Sequence, residues 1–265
     1  MIRFVNTITI FMILFGFSSC SEDLSSIERI YEKGNYKEAI SELNGYLFFH
    51  VTDVKALHLR ARSYEEIGEI GKARADYERI IDFDKDYAQA FAGLGKILFE
   101  KKNYKEAELY FLRAATIDYE DFDILYLVGR TQMMLEKYES AERFLEIAKD
   151  LNPKFAKVHY YQGMVRALRG DVLGSAASFN SYVQFEPDHY VGRYNRGFAL
   201  MKAGYLEWAL DDFEAVLKAN PNHVEAMAKK GYCMAKLGND EGCQILKLAA
   251  SKGSLYAQNQ AEVCV

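Results

Sequence analysis

The sequence predicts an all-α fold of about seven stacked helix-turn-helix units, and three observations carry that prediction. The chain of 265 residues has only three prolines, Pro153, Pro187 and Pro221, and they recur at a spacing of 34 residues. Stepping by 34 in both directions exposes a column of small residues: Ala61, Gly95, Gly129, Gly163, Gly197 and Gly231. Twelve residues further on stands a second small column, Ala39, Ala73, Ala107, Ala141, Ser175, Ala209 and Cys243. Four residues beyond each of the first six comes a bulky apolar one: Leu43, Tyr77, Phe111, Leu145, Phe179 and Phe213.

From the N-terminus, residues 1–19 read as a signal peptide. Arg3 gives a positive start, and the apolar run 8–17 is too short to span a bilayer but has the length of a signal h-region. The Phe17-Ser18-Ser19-Cys20 sequence resembles the lipobox of bacterial lipoproteins, with Phe17 where Leu is usual. That resemblance implies acylation of Cys20, with residues 20–23 as a lipidated N-terminus and short linker; Ser21 after the cysteine, rather than Asp, resembles outer-membrane sorting, for a lipid-anchored protein on the periplasmic or surface face. An ordinary secretory signal is the alternative. The Ser21-Glu22-Asp23 run is similar to short acidic surface-sorting tags, or is a plain polar linker.

Residues 24–265 then form one array. Its units fall at about 20–53, 54–87, 88–121, 122–155, 156–189, 190–223 and 224–257. Each holds two apolar-periodic stretches of helical length joined by a short turn. The turn column reads Gly34, Gly68, Lys102, Glu136, Gly170, Gly204 and Gly238, where Gly suits the left-handed residue that ends a helix. The prolines follow the second helix and bias the preceding residue out of helix. A helix pair this short cannot bury its own apolar face, so the units must stack.

These columns resemble the tetratricopeptide repeat, over roughly residues 24–253. The resemblance implies a right-handed α-α superhelix. Ile27 replaces the small residue of the first unit, Lys247 and Leu255 depart from the pattern in the last, and residues 254–263 read as a capping helix.

By the same resemblance, a partner segment binds a concave groove lined by the fifth, ninth and twelfth positions of each first helix. The early units place His58, Arg62 and Glu65, then Ala92, Lys96 and Phe99 there. The later ones place Tyr126, Arg130 and Met133; Tyr160 and Met164; Tyr194, Phe198 and Met201; and Tyr232. Tyr126, Tyr160 and Tyr194 would form a ladder on neighbouring helices, either a partner site or ordinary repeat architecture. Chaperone-binding members of the family hold a C-terminal carboxylate with a Lys/Asn clamp. Asn195 stands at its middle position, but Tyr160, Met164, Glu225 and Lys229 flank it, so no clamp is expected.

The composition, 50% hydrophobic and 27% charged, excludes a disordered chain, and the net charge of −5 argues against a broad nucleic-acid surface. No HExxH, P-loop, GxSxG or CxxC pattern is present, so neither a catalytic site nor a metal or cofactor is expected. His159 falls in a core-facing column, and the acidic stretch around Asp121 reads as a solvated turn. In an oxidising compartment Cys243 and Cys264 could bridge; Cys233–Cys243, or three reduced thiols, are the alternatives. The expected function is non-enzymatic: an envelope-anchored scaffold binding a protein or peptide segment. The alternatives are an accessory subunit of an envelope enzyme or assembly complex, and a surface glycan- or nutrient-capture protein.

Overall fold

A computed structural model describes residues 23–264; the expected signal peptide 1–19, Cys20 and the first residues of the expected linker lie outside the described residues. All regular structure among the described residues is helical. The chain divides into two compact units, one ending at Phe83 and the other beginning at Asp84.

The first unit contains α1 (Leu24–Glu32), α2 (Tyr36–Phe49), α3 (Val54–Glu66) and α4 (Ile70–Phe83). The second contains α5 (Ala88–Glu100), α6 (Tyr104–Ile117), α7 (Phe122–Met134), α8 (Tyr138–Leu151), α9 (Ala156–Leu168) and α10 (Val172–Phe185). It continues with α11 (Tyr190–Lys202), α12 (Leu206–Ala219), α13 (Val224–Lys236), α14 (Glu241–Ser251) and α15 (Leu255–Gln258), and ends in a 3-10 turn, Ala261–Cys264. The first helices from α3 to α13 start at 54, 88, 122, 156, 190 and 224, so the 34-residue sequence period is also the structural one.

The residue columns explain the pairing. Ala73, Ala107, Ala141 and Ala209 are fully buried, and the large residues four positions on, Tyr77, Phe111, Leu145, Phe179 and Phe213, are buried with them. In the second unit these bulky side chains lie over the glycine column of the preceding helix: the rings of Phe111 and Phe179 face Gly95 and Gly163, and Leu145 faces Gly129. Ser175 takes the alanine place in its unit, and its hydroxyl donates to the Gly163 carbonyl at 2.9 Å, which satisfies a buried polar group.

Turn geometry follows the glycine column, including its exceptions. Gly170, Gly204 and Gly238 have φ of 83°, 87° and 82°, and Lys102 and Glu136 adopt the same left-handed conformation at 59° and 60°. The packing of the flanking helices imposes that conformation on side chains that disfavour it.

A polar network recurs at four-repeat spacing, once in each unit. Arg60 grips Asp76 through two bonds of 2.8 and 2.6 Å and donates to Asn44 at 2.8 Å. Arg196 grips Asp212 at 2.8 and 2.6 Å and donates to Asn180 at 2.7 Å. Such two-pronged pairs fix the angle between neighbouring helices as well as satisfying buried carboxylates. Lys137 likewise reaches the buried Glu108 at 2.6 Å. His159 is buried, with Nε2 2.8 Å from the Pro153 carbonyl and its ring stacked on Phe185. Asp121 caps α7 by accepting from the Ile124 amide.

Candidate functional site: the first-helix face of the second unit

Because i, i+4 and i+7 share one side of a helix, the fifth, ninth and twelfth positions of α5, α7, α9, α11 and α13 form one row of side chains. The structure divides this row into three stretches that the repeat pattern treats alike.

In the first stretch, Tyr126 is buried rather than open. Phe122 stacks on it at 6.0 Å, while Phe155 and Tyr161 meet it edge-on at 5.3 and 5.7 Å. Burial pushes its phenol well above the ordinary tyrosine range, although the adjoining Arg130 guanidinium works the other way. Arg130 lies among three rings, 4.9 Å from the centroid of Phe99, 5.3 Å from Tyr126 and 4.9 Å from Tyr161. It thereby braces the faces of α5, α7 and α9. Met133 packs half-buried against the same cluster.

The middle stretch is partly open. Tyr160 is half-buried, with its ring edge-on to Phe179 at 5.7 Å and tilted against Tyr182 at 5.3 Å. Its hydroxyl accepts from Asn195 at 3.4 Å, which employs the residue at the would-be clamp position in architecture. Met164 beside it is half-buried.

The last stretch is occupied by the chain itself. Met201 is buried, and the Tyr256 hydroxyl lies 3.8 Å from its sulfur. Tyr256 also meets Tyr232 at 5.9 Å. Lys229, only 5% exposed, sits 4.5 Å from the Tyr256 ring, 5.4 Å from Tyr194 and 5.3 Å from Phe198. Its ammonium is paired with Glu225 at 3.1 Å. Tyr194 packs further on His223 at 4.8 Å.

Of the expected ladder Tyr126, Tyr160 and Tyr194, the first is thus packed into the architecture, while Tyr160 and Tyr194 are half-buried. Phe155 and Tyr161 close over Tyr126, and α15 returns across the row to cover Met201. Tyr256 was not legible as a member of this face, and Lys229 was legible only as a neighbour of the would-be clamp position. Lys229 is one position off the groove columns, and Tyr256 lies beyond the last full repeat.

The return of α15 is secured covalently. Cys243 and Cys264 form a disulfide across 21 residues, with Cα atoms 5.5 Å apart. Cys233 is buried as a free thiol, and burial pushes its pKa up to about 12, which leaves it protonated and unreactive near neutrality. Ser254 caps α15 and its hydroxyl donates to Glu225 at 2.8 Å.

A second concavity, of about 550 Å³, opens between α10, α11 and α12. Trp208, 61% exposed, stacks on Tyr205 at 5.2 Å beside Leu173, Arg193 and Asp211. The repeat columns gave no sign of it, since Trp208 sits at an outward position of a second helix. Among the described residues no group of three or more His, Cys, Asp or Glu is placed to hold a metal ion, and no helix is long and apolar enough to cross a membrane.

Comparisons with known proteins place this arrangement. Tetratricopeptide-repeat profiles match residues 58–121 and 191–223. Protein FlbA of Caulobacter vibrioides is 25% identical over 182 residues, which cover 69% of this chain and 30% of FlbA. The chain spans less than half the length of the curated relatives it matches, 30% of FlbA and 43% of bovine BBS4. Among solved structures, YrrB, described as a tetratricopeptide protein with an unusual peptide-binding site, superposes with a TM-score of 0.64 at 24% identity, covering 71% of this chain and 97% of that one. Pseudomonas aeruginosa PilF superposes with a TM-score of 0.68 at 16% identity, covering 77% and 92%. The chain thus carries recognised tetratricopeptide repeats at residues 58–121 and 191–223, within an all-helical solenoid fold that it shares with solved tetratricopeptide proteins.

Proposed function

We propose that this protein is a non-enzymatic interaction scaffold, tethered to the bacterial envelope through Cys20, that binds an extended segment of a partner protein along its first-helix face. One observation carries the reading. Between the enclosed Tyr126 and the Tyr256 plug, the second unit leaves Arg130, Met133, Tyr160 and Met164 half-exposed on consecutive first helices. Tyrosine supplies a large rigid surface with a polar tip, and methionine adapts to the shape it meets. The peptide-binding site reported for YrrB, on the same fold, supports a peptide ligand.

The test is affinity capture from detergent-solubilised membranes with the native chain and with Tyr160→Ala/Met164→Ala. The double variant should lose the captured partner and keep its helical circular dichroism; unchanged capture rejects the reading. The anchor is tested separately: Cys20→Ser should move the protein from the membrane to the soluble fraction and abolish labelling by a fatty-acid probe. A glycan-capture reading rests on the stacked, exposed Trp208–Tyr205 pair and its adjoining cavity. In that case Trp208→Ala, and not the groove double variant, would abolish binding on a glycan array.

A further inference from the structure

Arg130 is the half-buried arginine of the second unit whose charge the fold leaves without a counterion. Arg166 pairs with Glu142 at 3.0 Å, Arg196 with Asp212 at 2.6 Å, and Arg193 lies within ion-pair distance of the same Asp212 at 3.9 Å. Arg130 has no carboxylate within ion-pair distance among the described residues, and its Nε is buried without a hydrogen-bond acceptor. Three ring faces take the place of an anion around it. The Tyr126 hydroxyl bonds to the guanidinium, but ring quadrupoles do not replace the remaining hydrogen bonds and Nε stays without an acceptor, so part of the desolvation cost remains. The same rings hold the guanidinium in one place before any ligand arrives, which lowers the ordering cost of binding.

We propose that Arg130 anchors an Asp or Glu side chain of the partner segment, whose neighbouring apolar residues lie on Met133, Tyr160 and Met164. This deepens the first-helix-face reading above and rests on it. The surroundings favour a side-chain carboxylate over a chain terminus. Half-exposed apolar residues continue the row on α9, and the exposed Lys96 holds the matching position on α5. A bound segment therefore runs past the guanidinium in both directions rather than ending there. The partner's chemistry is thus an extended stretch in which an acidic residue adjoins aromatic or aliphatic ones. A planar, permanently charged fork suits a carboxylate better than lysine would.

The test uses a phage-displayed library of random twelve-residue peptides, selected on the full chain, with an enriched peptide then synthesised and titrated by fluorescence anisotropy. Enriched peptides should share an Asp or Glu beside aromatic or aliphatic residues. Replacing that acid by its amide should weaken binding to the native chain about ten- to a hundredfold. Arg130→Gln should weaken binding to the same extent, after which the peptide substitution should have no further effect. Arg130→Lys should recover part of the loss. The peptide-side substitution is read on the unaltered chain, so it decides the matter even if Arg130→Gln folds poorly. Three results overturn the proposal while leaving peptide binding intact: enriched peptides without an acid, an acid-to-amide effect that persists undiminished in Arg130→Gln, or binding that vanishes on amidating the peptide C-terminus. Failure to enrich any peptide rejects the underlying reading, and this proposal with it.

Discussion

Replacing Gly231 by Ala tests the claim that backbone contact, rather than side-chain interdigitation alone, joins α13 to α14. A Cβ built at Gly231 would lie 2.9 Å from both the Gly242 carbonyl oxygen and the Leu246 amide nitrogen. Both are backbone atoms of α14, so no change of rotamer relieves the clash and the helices must part. At Gly163 the same methyl group meets the Phe179 ring, also at 2.9 Å, but a ring can tilt. At Gly45, inside α2 and exposed, nothing lies within 4 Å.

Within a helix the change from Gly to Ala by itself gains about 0.5–1 kcal/mol. Overpacking a close-packed contact costs about 1–3 kcal/mol, and more where backbone must move. Gly231→Ala should therefore lose roughly 2–3 kcal/mol net and Gly163→Ala about 1 kcal/mol, whereas Gly45→Ala should gain about 0.5–1 kcal/mol. Urea unfolding followed by circular dichroism measures all three. Trp208, the single tryptophan, reports on the C-terminal pairs, because repeat arrays do not always unfold in one step. A Gly231→Ala protein as stable as the parent, or a Gly45→Ala protein as weak as Gly231→Ala, would refute the reasoning.

Three further outcomes are expected. Lys102→Gly and Glu136→Gly should each stabilise by about 0.5–1 kcal/mol, since relief of the left-handed strain exceeds the added freedom of the unfolded chain; a lower urea midpoint contradicts this. Reducing the Cys243–Cys264 disulfide, or Cys264→Ser, closes no 21-residue loop in the unfolded chain and should cost about 3 kcal/mol in the chain-entropy picture, read as a lower melting temperature of the Trp208 transition. At Glu225, burial opposes ionisation, but the Ser254 hydroxyl and the Lys229 ammonium outweigh it and hold the carboxyl below its ordinary value of 4.5. A lowered folded-state pKa gives stability that is present above the ordinary value and is lost as pH falls through the folded one. The melting-temperature gap between the native chain and Glu225→Gln should thus be constant from pH 7 to about 5 and close in acid; a gap that widens there is inconsistent with the assigned bonds.

The sequence alone determined the repeat. A 34-residue column of small residues, bulky residues and helix-ending glycines constrains neighbours along the chain, and local spacing is enough to read it. Even Lys102 and Glu136, which break the glycine column, revealed the turn position because the register ran through them. That the nine groove positions face a partner is what the resemblance to the repeat family implies; spacing alone shows only that such positions share one side of each helix.

Only the tertiary structure decided which parts of that row are open. Tyr126 and Tyr160 occupy equivalent positions, yet Phe155 and Tyr161 enclose the first, while the second keeps part of its surface. Tyr256 reaches Met201 across 55 residues of sequence, and no periodicity relates them. The charge balance of Arg130 likewise depends on which carboxylates come within a few ångströms, a property of folded distances and not of composition. Repeats write their own packing into the sequence; the ends of the array, and the charges it leaves unpaired, are settled by contacts between residues that the period does not connect.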